Sequence, residues 1–234
     1  MNAASHWLSR ITPRPGLGHK QLVELGSLDP YGQHQTIWRL FDLPSSQERA
    51  GQPVPFLFRA EQMGGLPVFY VLSAQCPQDR QGVWQIEAKP YAPRLQAGDR
   101  LAFKLRANPT VARGIKGERG QRHDVVMDAK RRMGWKDLPE VERPPLADLA
   151  YEAGACWLRD RQDHLGVSFA DSGMRVDGYR TWRQWNGRGI ALSTLDFEGV
   201  LQLVEPERFL PALLAGIGPA KAFGCGLLLV RRVS

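Results

Sequence analysis

Two sets of residues in this chain could do chemistry. Tyr31 and His34 stand three apart in a segment that opens with Asp29-Pro30, and near the C-terminus runs Gly216-Ile-Gly-Pro-Ala-Lys-Ala-Phe-Gly-Cys-Gly-Leu227. A histidine can take up a proton near neutral pH, and a tyrosine can donate or position one. Glycine has no Cβ, so a loop built on Gly216, Gly218, Gly224 and Gly226 can take φ > 0 and let a phosphate approach its N–H groups. Lys221 would add a point charge of the matching sign. The plain alternative for this loop is a glycine turn joining a helix to a strand, with Lys221 solvated. A histidine, a tyrosine and abundant Arg and Lys suffice for one reaction class, metal-independent cleavage of RNA. There the ribose 2′-hydroxyl is the nucleophile. The protein need only deprotonate it, protonate the leaving 5′-oxygen and hold the phosphate.

His34 reads two ways. At 100° per residue Tyr31, His34, Trp38 and Phe41 form one helical stripe, which makes His34 a core histidine. Alternatively the N-terminal end of that stripe emerges into a cleft, where the positive helix end keeps the imidazole neutral and basic. His6, His19, His123 and His164 are scattered, with no partner at ligand spacing. There is no carboxylate cluster, Walker loop or Gly-x-Ser-x-Gly elbow, so neither a metal site nor a cofactor is expected. Cys76, Cys156 and Cys225 form no zinc or disulfide pattern.

The 234 residues carry a net charge of +7, which suits an anionic partner. Residues 113–136 hold Arg113, Lys116, Arg119, Arg122, Lys130, Arg131, Arg132 and Lys136 against Glu118, Asp124 and Asp128, so most of the net charge sits there. A second basic stretch, 174–188, interleaves Arg175, Arg180, Arg183 and Arg188 with Tyr179, Trp182 and Trp185. Arginine among aromatic rings is a nucleic-acid-binding composition, and a solvated hairpin with a packed aromatic face is its alternative. The N-terminal residues show no apolar leader, and no apolar run approaches bilayer length. The expectation is a soluble cytoplasmic protein.

The elements that must position these residues read as one pattern used twice. Strands are expected at 7–11, 56–60, 68–74 and 84–88, with Met63-Gly64-Gly65 as a hairpin turn. A helix capped by Asp29-Pro30 runs to about Phe41. A second helix, between the last two strands, has little support in 77–82. The second pass has a clean alternation at 100–107, an amphipathic helix at 147–159, strands at 165–170, 189–204 and 227–230, and a helix at 209–215. Pro211 requires that last helix to begin near Leu210 or to kink. Residues 113–136 lack periodicity and read as a mobile loop. Strand–helix–strand–strand–helix–strand is the split βαβ unit, so the fold class is α+β with two tandem ferredoxin-like βαββαβ domains. These would span residues 1–97, with the Tyr/His helix, and 98–234, with the basic segments and the glycine-rich loop, linked at Gly98-Asp99.

Three motifs, Tyr31-Gly-Gln-His34-Gln-x-x-Trp38-x-Leu-Phe41, Phe103-Lys-Leu-Arg106-Ala-Asn108-Pro109 and the glycine-rich string, closely resemble the CasE family of type I-E CRISPR repeat endoribonucleases. They come in family order and span nearly the whole chain, with no motif between residues 114 and 167. The resemblance implies metal-independent cutting at the base of a repeat hairpin in the precursor transcript, leaving a cyclic phosphate. It implies Tyr31 and His34 as catalytic residues. Arg106, the basic segments and the glycine loop would be the RNA-binding surface. It also implies that the protein keeps the mature guide RNA as a subunit of the multisubunit surveillance complex. Two other readings remain. One is a non-catalytic RNA-hairpin-binding subunit of the same architecture. The other is an enzyme holding a small phosphate ligand in the glycine loop, although no strand-led dinucleotide fingerprint is present.

Overall fold

The computed structural model describes residues 6–43, 55–114, 121–170, 173–184 and 190–233. It divides into two compact units, one of residues up to Arg94 together with Lys221–Leu227, the other of Leu95–Ala220 and the chain from Leu228 onward. The second half of the glycine-rich loop therefore clusters with the first unit.

In the first unit the order is β1 (His6–Pro13), α1 (His19–Gly26), α2 (Pro30–Trp38), β2 (Phe56–Met63), β3 (Leu66–Ser73) and β4 (Trp84–Tyr91). The sheet runs β2-β3-β1-β4 with every neighbour antiparallel, the strand order of a ferredoxin-like domain. Gly64 and Gly65, at φ +59° and +79°, close the β2–β3 hairpin in the turn that suits twisted strands. Ile11, Ile37, Phe56, Phe58, Phe69, Val71 and Trp84 fill the core between sheet and helix. Three details differ from the sequence reading. Helix α1 had no counterpart in it because it is only eight residues long with none fully buried, and the one turn that packs Leu25 on the core is too short to stand out as a period. Helix α2 stops at Trp38, and Leu40 and Phe41 close tight turns onto the carbonyls of Ile37 and Trp38. No helix joins β3 to β4. Residues 74–83 are an irregular loop in which Asp79 accepts from the backbone N–H groups of Gln81 and Trp84.

The second unit has β5 (Arg100–Ala107), β6 (Thr110–Arg113), β7 (Gln121–Asp124), α3 (Val125–Arg132), α4 (Leu146–Arg159), α5 (Gln162–Leu165), β8 (Val167–Phe169), β9 (Arg175–Gln184), β10 (Ile190–Leu203), α6 (Pro206–Ala215) and β11 (Leu228–Arg232). Its sheet order β11-β5-β10-β8 repeats the ferredoxin-like arrangement, and β9 pairs with β10 as well. Helix α4 lies close on this sheet because Gly154 leaves room, a Cβ there falling 2.7 Å from Val176 and 2.8 Å from Leu195. The described part of 113–136 corrects the loop reading, since Arg113 ends β6, which pairs antiparallel with β7, and α3 follows, while residues 115–120 lie outside the described residues. Eight helical residues burying only Val125, Val126 and Asp128 are too few to print a period. The basic stretch after Met174 is strand β9 from Arg175 to Gln184, paired antiparallel with β10. Helix α6 begins at Pro206, not near Leu210, and holds Pro211 in its interior. Both Pro211 and Glu207 are exposed, so the Glu207 carbonyl that loses its N–H partner faces water.

Candidate functional site

Helix α2 starts as its sequence dictates. The Asp29 carboxylate accepts from the Gly32 N–H at 2.6 Å, and Pro30 occupies the first helical position. The stripe then grades from solvent to core, with Tyr31 46 % exposed and Phe41 7 %. His34 lies between, half-buried, so each of the two readings holds in part. Its imidazole packs at 5.7 Å from the Trp38 ring, 5.5 Å from Phe56 and 6.4 Å from Phe58. Nδ1 is buried with no hydrogen-bond partner. The side chain also lines a cleft of ≈ 450 Å³ with Tyr31, Gln35, Trp38 and Arg39. Burial against these rings, rather than the helix end, lowers the His34 pKa below the ordinary 6.5. A neutral imidazole facing a cleft is a competent proton acceptor.

Arg39 escaped the sequence reading. It caps the C-terminal end of α2, where a cation is favourable, lines the His34 cleft and has no acidic partner among the described residues. Helical periodicity did not single it out, since Arg39 falls about 80° round the helix from Tyr31 and about 140° from His34.

The glycine-rich loop is packed rather than open. Gly216, Gly218, Gly224 and Gly226 have φ of +79°, +80°, +75° and +92°, and Ala220 joins them at +61°. A Cβ on Gly218 would lie 3.3 Å from Trp157, and one on Gly224 would lie 3.2 Å from Phe58. Lys221, half-buried, opens a 3₁₀ turn, Lys221–Phe223, that packs on α2 and β2 within the first unit. The loop thus meets the very helix that carries Tyr31 and His34.

The basic residues separate into two groups. Arg106 is half-buried and holds Asp196, its cross-strand partner, through two hydrogen bonds of 3.0 and 2.9 Å. Arg113 and Arg132 both hold Asp128, at 2.7 and 3.3 Å, and hydrogen bonding to Arg113 is the main cause that keeps the Asp128 carboxyl below its usual range. Arg175 pairs with Asp177, and Lys130 stands 4.0 Å over the Trp135 ring. Arg122, Arg131, Arg180 and Arg183 are exposed and have no acidic partner among the described residues. Lys116, Arg119 and Arg188 lie outside the described residues. Asp124, which the sequence offered only as an opposing charge, is the joint of the second unit. It caps α3 through the Met127 N–H at 2.7 Å and accepts from Tyr179 Oη at 3.0 Å and from Ser193 Oγ. Burial, reinforced by Asp124, raises the Tyr179 pKa and keeps the phenol a donor. Arg122, Arg183 and Pro219 line a cleft of ≈ 340 Å³ above this network.

No group of three His, Cys, Asp or Glu among the described residues could hold a metal ion. None of the described helices is long and apolar enough to cross a membrane.

Residues 6–232 match a family model described as CRISPR associated protein. The chain is 29 % identical to the CRISPR-associated endoribonuclease Cse3 of Thermus thermophilus, over 96 % of this chain and 99 % of the relative. It is 32 % identical to the CRISPR system Cascade subunit CasE of Escherichia coli, over 86 % and 92 %. Its structure is similar, with a TM-score of 0.68 and 26 % identity over 97 % of this chain and 99 % of the other, to Thermus thermophilus Cse3 bound to an RNA representing a pre-cleavage complex. With that match running almost end to end, the chain belongs to the CRISPR-associated proteins, in the CasE family of endoribonucleases.

Proposed function

We propose that this protein cuts the repeat hairpins of a CRISPR precursor transcript without a metal ion, and that the α2 cleft is where it does so. The observation that carries this reading is the meeting in one cleft of Tyr31, His34 and Arg39, the last without an acidic partner among the described residues, with the imidazole kept neutral by burial. His34 accepts the proton of the ribose 2′-hydroxyl through Nε2, since Nδ1 is shut away from solvent. The 2′-oxygen attacks the adjacent phosphorus. As the P–O5′ bond breaks, the Tyr31 phenol gives its proton to the departing 5′-oxygen, and a 2′,3′-cyclic phosphate is left. Arg39 faces the charge that grows on the non-bridging oxygens. Solvent then returns the proton from His34 to Tyr31.

The second unit grips the stem in this reading, through Arg122, Arg131, Arg180 and Arg183, by backbone and shape as A-form RNA requires. Lys116, Arg119 and Arg188 would extend that surface. Arg106, Arg113, Arg132 and Arg175, already paired with carboxylates, serve first to shape it. The chain works in the cytoplasm and stays on the mature guide RNA inside a surveillance complex, a reading supported by its likeness to a Cascade subunit. The test is single-turnover cleavage of a repeat hairpin in excess chelator. The wild-type rate should be unchanged, and His34→Ala should lose about 10²- to 10⁴-fold while binding the hairpin within several-fold. A rate that chelator abolishes and Mg²⁺ restores, or normal cutting by His34→Ala, would overturn the proposal.

A further inference from the structure

A catalytic imidazole is commonly aimed by a hydrogen bond from its second nitrogen to a carboxylate or carbonyl. His34 has none. Its Nδ1 is buried without a partner, so ring packing alone sets the direction of Nε2. Of the three rings around it, Trp38 belongs to the same helix, while Phe56 and Phe58 come from β2. Phe58 is fully buried and has the glycine loop on it. Gly224 sits at φ +75°, and its missing Cβ would fall 3.2 Å from Phe58 Cε2 and 3.6 Å from Cζ. The Lys221–Phe223 turn just before it packs on both α2 and β2. Loop, phenyl ring and imidazole therefore form one packed column within the first unit.

We propose that Phe58 is a positioning residue for the cleavage reaction: wedged under Gly224, it fixes the orientation of the His34 imidazole, so that the glycine-rich loop acts on the reaction through packing. This rests on His34 being the base. It gives Gly224 a task that needs no RNA contact, and it explains a glycine whose would-be side-chain volume is filled from the protein interior. The charged and titratable groups on the elements around His34 are Asp29, Tyr31 and Arg39 on α2 and its caps, Lys221 on the turn, and Arg59 and Glu61 of β2. The last two alternate to the sheet face opposite Phe58 and pair with each other. None of these forms an ion pair with His34 among the described residues, so a change of packing is what a shifted pH profile would report.

The experiment compares Phe58→Leu, Phe58→Met, Gly224→Ala and Gly224→Ala/Phe58→Leu in the full-length protein, with His34→Ala and Trp84→Phe as controls. The readouts are repeat-hairpin Kd and the pH dependence of the single-turnover rate at saturating RNA. Phe58→Leu should keep Kd within about twofold and lose roughly 10- to 100-fold in rate, the scale of a misplaced catalytic group. The midpoint of its pH–rate profile should rise toward the ordinary histidine value as the ring is wetted. Phe58→Met, whose longer unbranched side chain can follow the vacated ring space, should show the same changes at smaller size and covers the case in which the leucine variant does not fold. Gly224→Ala should lose rate, and the double variant should lose less than the two single losses combined, since the smaller residue at 58 makes room for the methyl group. Trp84→Phe alters the same core beyond Phe69 and should leave the midpoint in place. Unchanged rate and midpoint in the Phe58 variants, with His34→Ala inactive, would overturn the positioning role alone. Gly224→Ala weakening Kd with an unchanged saturated rate would likewise overturn it and assign the loop to RNA contact. Normal cutting by His34→Ala would instead remove the reading of the base.

Discussion

Replacing His34 with phenylalanine should stabilise the protein while disabling it. The histidine keeps Nδ1 buried and unpaired among Trp38, Phe56 and Phe58. A buried polar atom left without a partner costs about 1–3 kcal/mol, and a half-buried ring belongs at the lower end, near 1 kcal/mol. Phenylalanine removes that atom, keeps the ring contacts, and finds space for its extra atom at the cleft edge. In a chain of this size about 1 kcal/mol corresponds to roughly 2–4 °C in Tm. The gain should depend on pH with a definite sign. The His34 pKa is lowered in the folded state, so its neutral form supports folding fully above the unfolded value of 6.5. That support is lost as pH falls from 6.5 through the lower folded value, the range in which the unfolded chain binds the extra proton. The variant has no such loss, and its Tm advantage should widen between about pH 8 and about pH 5.5, on either side of the ordinary histidine value. Thermal melts at the two pH values measure this, and single-turnover cleavage should be down by about 10²- to 10⁴-fold. A variant less stable than wild type, with the same gap at both pH values, would refute the account of His34 as an under-satisfied, desolvated base.

Two further outcomes follow from the sorting of the cations. Neutralising Arg122 and Arg183 together should flatten the dependence of log affinity on log salt by up to about 0.7–0.9 for each phosphate that the pair had neutralised, whereas Arg113→Ala, whose guanidinium Asp128 already holds, should flatten it less. An equal effect of the three would mean that pairing within the protein does not decide which arginines reach the RNA. Asp196→Asn should cost about 1–2 kcal/mol in urea unfolding, because it removes the charge opposite Arg106 in a pair whose side chains are only 21 % and 18 % exposed. Glu198→Gln on the same strand breaks a pair to Lys104 that is 57 % and 37 % exposed, and should cost under about 1 kcal/mol. Equal losses would show that burial does not set the difference.

The features legible in the sequence are those with a short-range cause. Asp29-Pro30 caps a helix through a carboxylate three residues from its acceptor N–H, and Gly64-Gly65 turns a hairpin through its own φ angles. The alternation of β5 and the stripe of α4 record one buried face each, and the strand order of both sheets follows from the repeated pattern. Tyr31 and His34 were legible as neighbours because a helix fixes the distance between residues three apart. The elements that stayed hidden bury too little to leave a period. α1 has no fully buried residue, and both it and α3 are only two turns long.

Tertiary structure alone decided what each charged or special residue does. Arg106 belongs to Asp196, ninety positions away, only because β5 and β10 pair in one register. Asp124 became a joint through Tyr179 and Ser193 on strands that the sequence does not connect to it. Whether His34 was a core residue or faced a cleft depended on where the stripe of α2 leaves the sheet, and the answer, half of each, is set by Phe56 and Phe58. Composition offered the glycine loop as open backbone. Folding filled the space beside Gly218 and Gly224 with Trp157 and Phe58. A sequence records the angles and periods that a residue and its near neighbours impose, whereas partners in space are chosen by the packing of segments far apart in the chain.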